Sequence, residues 1–338
     1  MESLQVYIDG LFDRQLLHNI AIRVGSNDKV LYEFYKSDTQ EIHERTLFDM
    51  ASVTKILSVT ALSLLAEEAG KLSFSDKVSH YFPVPPHFED LTVFHLLTHT
   101  MGIGHRPLNS PQNNYGNIVH YILSLEGNPL GQDVEYSCPA FILMGKILEQ
   151  IYGKRLDVLF RELVAEPLGM TSSSFCPDRN SGDFINSNLE PDKKGIVNDY
   201  NCQHLGGIAG NAGIFSCIAD LTKYSLMLLS DGKPLLSKAT LDSASHNHTP
   251  GMSEARGIGF LYVDERYPQT GKLFPVGSIG HCGHTGQSLF VDRASGLYVI
   301  ILSDATISTV KKYGHEDYSQ VMQMREDIHN LIKEGLQS

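Results

Sequence analysis

Apolar positions recur at helical spacing at the start of the chain. Leu4, Ile8, Leu11 and Phe12 fall on one side of an amphipathic helix predicted over residues 2–17. The period then changes. Residues 20–24 and 30–35 are short β-branched and aromatic runs around Gly25-Ser26-Asn27-Asp28, which reads as a hairpin. The unbroken apolar stretch 56–66 predicts a buried helix with Gly70 as its C-cap, and Asp76 opens a further turn. From there to about Ser230 the pattern is mainly helical with long loops, rich in Pro, Asn and Gly between Arg106 and Gln132. Strands return late, at 257–263, in a run ending near Ser288, and at 289–292 and 297–303 around Ala294-Ser295-Gly296. A final helix is predicted over 316–336.

Strands at both ends with helices between them predict an α+β fold. One antiparallel sheet is built from both termini and flanked by helices, with a mainly helical domain inserted. The expected division is 1–75 and 255–338 for the sheet domain and 76–254 for the helical one, with the active site between them. Neither internal repeats nor low-complexity segments interrupt this pattern.

Composition mainly removes function classes. The 338 residues are 42% hydrophobic and 20% charged, which suits a globular chain with a large core. A net charge of -12 without a Lys- or Arg-rich run argues against nucleic acid as a partner. The apolar helix at 56–66 stops at Glu67-Glu68 and is too short to span a bilayer. The first residues, MESLQVYIDGLFDRQ, lack the basic start and apolar centre of a signal peptide. Five cysteines, Cys138, Cys176, Cys202, Cys217 and Cys282, are an odd number without C-x-x-C spacing, which suits a reducing compartment. The expected location is therefore cytoplasmic, or exported if a leader was removed. The oligomeric state is left open.

The chemistry starts at Ser52-Val53-Thr54-Lys55. A serine and a lysine three apart on a helix share a face, so the ammonium can reach the hydroxyl. A serine hydroxyl is a poor nucleophile until a neighbouring base takes its proton. At a helix start it also lies beside backbone N–H groups, where an oxyanion would develop. Partners follow in order: LTVFHLLTHTMGI at 91–103, Tyr136-Ser137-Cys138, and His281-Cys282-Gly283-His284-Thr285-Gly286. With these motifs the chain resembles the serine β-lactamase and penicillin-binding protein family, nearest its class C-like branch, whose signatures are S-x-x-K, Y-x-N and K-T-G or H-x-G. The resemblance runs over residues 46–304 and includes YSCPAFILMGKILEQIYGKRLDVLFRELVAEPLGM from Tyr136 and IVNDYNCQHLGGIAGNAGIFS from Ile196.

What the resemblance implies is a β-lactamase/transpeptidase-like fold and a serine hydrolase working through an acyl-enzyme on ester, amide or lactam carbonyls. Ser52 would be the nucleophile, with Lys55 as buried cation or proton shuttle. Tyr136 would point at Ser52 and protonate the leaving group. The segment from Gly280 to Gly286 offers two registers, with His281 or His284 in the catalytic position. The alignment of GHCGHTGQSLFVD, anchored by SLFVD up to Asp292, favours His281, with Cys282 for threonine and Gly283 where backbone approaches substrate. His281 would orient a substrate carboxylate or polarise Tyr136. The His284 N–H would complete the oxyanion hole with that of Ser52. Cys138 is the chief departure, standing where the family usually has an asparagine that contacts substrate and lysine. A thiol is a weak donor and weaker acceptor, so that contact is expected to be largely lost and Cys138 to act as small filler.

His95 and His99 have the i, i+4 spacing of a metal pair, but Leu96 stands where H-E-x-x-H needs glutamate, and the family's RHLLTHTSG segment explains both without a metal. No metal and no cofactor are expected. The anticipated partner is a small-molecule or peptide-like substrate, with esterase or peptidase activity ahead of strong β-lactamase activity. A catalytically impaired penicillin-binding-like sensor and a biosynthetic acyltransferase are the alternatives.

Overall fold

The computed structural model describes residues 1–108, 117–180, 182–266 and 268–337, so part of the predicted loop at 106–132 lies outside the described residues. The N-terminal helix, Glu2–Asp13, buries Leu4, Ile8, Leu11 and Phe12. It stops short of residue 17 because Gln15 turns left-handed, with φ 54°. Its N–H bonds to Phe12 O and that of Leu16 to Leu11 O, the paired bonds of a Schellman cap.

Among the described residues nine strands follow in chain order: β1 (Asn19–Ser26), β2 (Val30–Ser37), β3 (Phe48–Asp49), β4 (Ser174–Phe175), β5 (Ile214–Ser216), β6 (Leu261–Tyr262), β7 (Ile279–Cys282), β8 (Ser288–Asp292) and β9 (Leu297–Ser303). Six form one antiparallel sheet in the order β2-β1-β9-β8-β7-β6. The predicted hairpin is β1–β2, and the termini meet where Ile22 on β1 lies opposite Ile301 on β9.

Alternation assigns the two faces. Ala21, Leu289, Val291, Ile300 and Leu302 join the large core built with the central helices. Ile20, Ile22, Val24, Phe290, Val299 and Ile301 pack on the N-terminal helix and on the last helix, Tyr318–Gln337, through Leu4, Ile8, Met324 and Ile328. Both faces are covered, which is why these strands read as continuous apolar runs.

Three features differ from the expectations. The run predicted to reach Ser288 ends at Cys282, because residues 283–287 turn back through Gly286 at φ 121°. The strand expected at 257–263 shrinks to β6, two residues long. A second sheet, β3-β5-β4, and a helix at Ala305–Tyr313 carry no prediction; strands of two or three residues are too short to show a period. No helix among the described residues is long and apolar enough to cross a membrane.

Candidate active site

β3 leads directly into the turn that carries Ser52. Ala51 has φ 44°, a left-handed conformation that costs a non-glycine residue energy. It is held by the buried Asp49 carboxylate, which accepts the Ala51 N–H at 2.8 Å. Asp49 also accepts the Asn198 N–H at 2.6 Å and the Ser187 hydroxyl at 3.2 Å. Beyond Ser52 the chain widens into a π-helical segment, Lys55–Thr60, and continues as the α-helix Ala61–Glu68. The predicted helix is therefore present, with Ser52 on a 3₁₀ turn, Ala51–Val53, at its entrance.

Lys55 is fully buried. Its ammonium donates to Ser52 Oγ at 2.9 Å, to the Asn211 carbonyl at 3.0 Å and to Cys138 Sγ at 3.5 Å. Tyr136 Oη donates to Ser52 Oγ at 2.6 Å. Tyr136 lies just ahead of the helix Cys138–Tyr152, whose N-cap Ser137 accepts the Ala140 N–H. Its ring is fixed by His99, 4.8 Å away between centroids, and His99 Nδ1 accepts the Ser137 N–H at 2.9 Å. The His95 ring instead caps its own helix at Thr92. The two histidines thus serve separate structural contacts.

Electrostatics follow from burial and from Lys55. Burial pushes the Tyr136 hydroxyl up to about 12, against the opposing pull of the ammonium. Burial disfavours the charged form of Lys55, yet the facing Cys138 and Tyr136 outweigh it and hold the group above the ordinary lysine range. Burial would raise the Cys138 thiol, but Lys55 and a hydrogen bond with His105 reverse the direction and keep it below the usual value. His105 is raised in turn, chiefly by that bond to Cys138. The expectation that Cys138 largely loses contact with lysine is thus corrected: at 3.5 Å, within reach of a large sulfur atom, the thiol accepts a hydrogen bond from Lys55.

His281 sits on β7, 6.1 Å from the Tyr136 ring between centroids. Its Nδ1 donates to the Cys282 carbonyl at 2.7 Å, and burial, with Lys55 and Arg256 nearby, lowers its pKa well below the ordinary histidine value. The ring is therefore neutral, and its buried Nε2, without a hydrogen-bond partner among the described residues, is an acceptor. His284 is half exposed, 3.4 Å from Glu316 and stacked on Tyr318. The two candidate histidines point to different places. Gly283 is glycine for a steric reason, since a Cβ there would lie 2.7 Å from the Met50 carbonyl, against the Ser52 turn.

A cavity of about 730 Å³ opens beside Ser52, Tyr136, Cys138, His281, Cys282 and His284. Several residues in its wall or behind it have no counterpart in the sequence reading. Arg256 lies over the Tyr136 ring at 5.7 Å and pairs with Glu254. The fully buried Arg325, from the last helix, donates to the Gly283 carbonyl and to Tyr318 Oη. Asn211 lies in the segment the resemblance quotes and reaches Lys55 by its carbonyl, while its amide donates to Asp199 at 3.0 Å. Only the segment's resemblance offered a signal, because a backbone carbonyl carries no residue signature.

Asp49 yields a stability prediction. Burial raises its carboxyl to about 6, against the hydrogen bonds it accepts. Folding therefore favours the protonated form, and the contribution is complete below pH 4 and lost as pH rises through 6. A shift of this size corresponds to about 3 kcal/mol. Asp49→Asn lacks that titration, so its stability relative to the wild type should improve by up to this amount between pH 4 and 7. Denaturant unfolding at both pH values measures it, and a constant difference would refute it.

A serine hydroxyl bracketed by a buried ammonium and a phenol, on a turn packed between an antiparallel sheet and a helical layer, defines a serine hydrolase of the acyl-enzyme type. The family model described as Beta-lactamase matches residues 7–318, and the chain belongs to that family. Esterase EstB of Burkholderia gladioli is 26% identical over 360 residues, covering 89% of this chain and 91% of that protein. Among solved structures, a class C β-lactamase superposes with a TM-score of 0.75 at 19% identity, over 97% of this chain and 94% of the other. EstCE1, a hydrolase with promiscuous acyltransferase activity, superposes at 0.74 with 18% identity, over 97% and 98%.

Proposed function

We propose that the protein hydrolyses carboxylic esters through an acyl-enzyme on Ser52. The observation that carries this reading is the placement of Ser52 Oγ between Lys55 Nζ at 2.9 Å and Tyr136 Oη at 2.6 Å, facing the cavity. Tyr136, held as a phenol, protonates the leaving alkoxide. The Ser52 and His284 N–H groups receive the oxyanion. Arg325 supports this assignment, because it binds the Gly283 carbonyl. In a trans peptide the C=O and the following N–H point in opposite directions, so the His284 N–H faces away from Arg325.

The charges favour an ester over a substrate that carries a carboxylate. His281 is neutral and presents an acceptor, which repels an anion but accepts a hydrogen bond from a substrate donor. Arg256 in the cavity wall is paired with Glu254, and Asp199 and Glu316 add negative charge. A carboxylate-bearing lactam or peptide C-terminus therefore meets an unfavourable field. The cavity takes Ser52, His281 and Tyr318 from 1–75 and 255–338, and Tyr136 and Asp199 from 76–254, which supports a cleft between two domains. None of the five cysteines forms a disulfide, which supports work in the cytoplasm.

The test is a comparison of p-nitrophenyl acetate with nitrocefin and with a D-alanyl-D-alanine peptide. The ester should show at least about a hundredfold higher kcat/KM, the scale of one unmatched charged contact. Equal turnover of nitrocefin would overturn the ester assignment. Intact-mass measurement should find an acetyl group on Ser52 when the reaction is quenched.

A further inference from the structure

The Lys55 ammonium lies fully buried, and Ser52 Oγ, the Asn211 carbonyl, Cys138 Sγ and the Tyr136 hydroxyl all lie within its hydrogen-bonding reach. Taking an ammonium out of water is costly, and buried charges persist when they are paired. The aliphatic hydroxyl and the peptide carbonyl remain neutral at any ordinary pH. Of the two partners that ionise, the thiol does so near 8.5 in water, below the 10 of a phenol. From these contacts we infer that Cys138 is the counter-charge of Lys55, a thiolate that also takes up the proton Ser52 releases, relayed through Lys55. This role rests on the acyl-enzyme reading of Ser52 and adds to it the identity of the proton acceptor.

Three further groups face the sulfur. His105, at the cavity wall, hydrogen-bonds to it from another segment of chain and stabilises negative charge there. Cys138 is also the first residue of a helix of 15 residues, where the aligned peptide dipoles favour an anion. Asp199 acts the other way, but its carboxylate is engaged by the Asn211 amide and the Cys202 N–H. Tyr136 does not compete for the negative charge, because its hydroxyl is pushed up to about 12 and donates to Ser52.

The relay is balanced. As Ser52 Oγ bonds to the carbonyl carbon, its O–H bond breaks and the proton passes to Lys55 Nζ. Lys55 simultaneously gives one of its own protons to Cys138 Sγ, and the carbonyl π electrons move onto oxygen. When the tetrahedral adduct collapses, the C–O bond to the leaving group breaks. Tyr136 protonates the departing alkoxide and is reprotonated from Cys138 through Lys55, which restores the thiolate. An asparagine at 138 holds no such proton. Cys138 acts through Lys55, so it is a positioning and charge-bearing residue rather than one that touches substrate.

Thiolate absorbance at 240 nm, titrated in the wild type and in Cys138→Ser, isolates this one sulfur by difference. The expected result is a titration below the 8.5 of a free thiol, coincident with the acid limb of kcat/KM for p-nitrophenyl acetate. Lys55→Met should move it up by a unit or more. If that variant does not fold, His105→Gln, at the cavity wall, should move it in the same direction by less. Cys138→Ser should lower kcat about a hundredfold with KM little changed, and should lose the acid limb. A thiol that titrates at 8.5 or above overturns the inference. So does a titration indifferent to both variants, or a Cys138→Ser pH profile that matches the wild type. A low thiolate titration in a protein that hydrolyses no ester would instead refute the esterase reading and leave the charge pair standing.

Discussion

Ser52→Ala is expected to lower kcat for ester hydrolysis by about 10⁴-fold or more, the scale seen when the nucleophile of an acyl-enzyme mechanism is removed. The oxygen is the shared hydrogen-bond partner of Lys55 and Tyr136, so its removal leaves both groups without the atom they act on. The fold should survive. Ser52 lies on a short turn held from outside itself by Asp49, and the hydroxyl is not a core contact. A fluorophosphonate should label the wild type at one site by intact mass and leave the alanine variant unmodified. Equal labelling of both would show that another residue is the nucleophile.

His281→Ala is expected to reduce kcat/KM by about ten- to a thousandfold, the range of one catalytic contact. His284→Ala should cost much less. The difference arises from which part of each residue faces the cavity. His281 offers a buried ring nitrogen beside Tyr136, whereas the ring of His284 is turned to Glu316 and Tyr318 and only its backbone N–H is proposed to contact the oxyanion. Alanine keeps that N–H. If His284→Ala proves the more damaging, the register that places His281 in the catalytic position is wrong, and the oxyanion assignment falls with it.

The legible parts of the site were those with local or repeated signatures. Ser52 and Lys55 are three residues apart, so helical geometry alone brings them together. The hairpin at 20–35 and the paired runs that became β8 and β9 announced the sheet, because a covered sheet demands unbroken apolar strands. What escaped was anonymous or remote. Asn211 reaches Lys55 through a carbonyl that every residue possesses, and Arg325 reaches Gly283 across 42 positions. The two- and three-residue strands β3, β4 and β5 left no period to read, although β3 aims the turn at Ser52.

Cys138 separates the two kinds of information most clearly. Read in sequence, it was an asparagine position occupied by a poor hydrogen-bonding group. A thiol's acidity depends on the charges around it, and those come from Lys55, His105 and a helix terminus that folding alone assembles. The chain by itself determined the fold class, the order of the motifs and the candidate nucleophile, because periodicity and near-neighbour spacing are properties of one dimension. The tertiary structure decided the burial of Lys55, Cys138 and His281, and where the rings of His281 and His284 point. Those depend on contacts between residues tens to hundreds of positions apart, which no local pattern encodes.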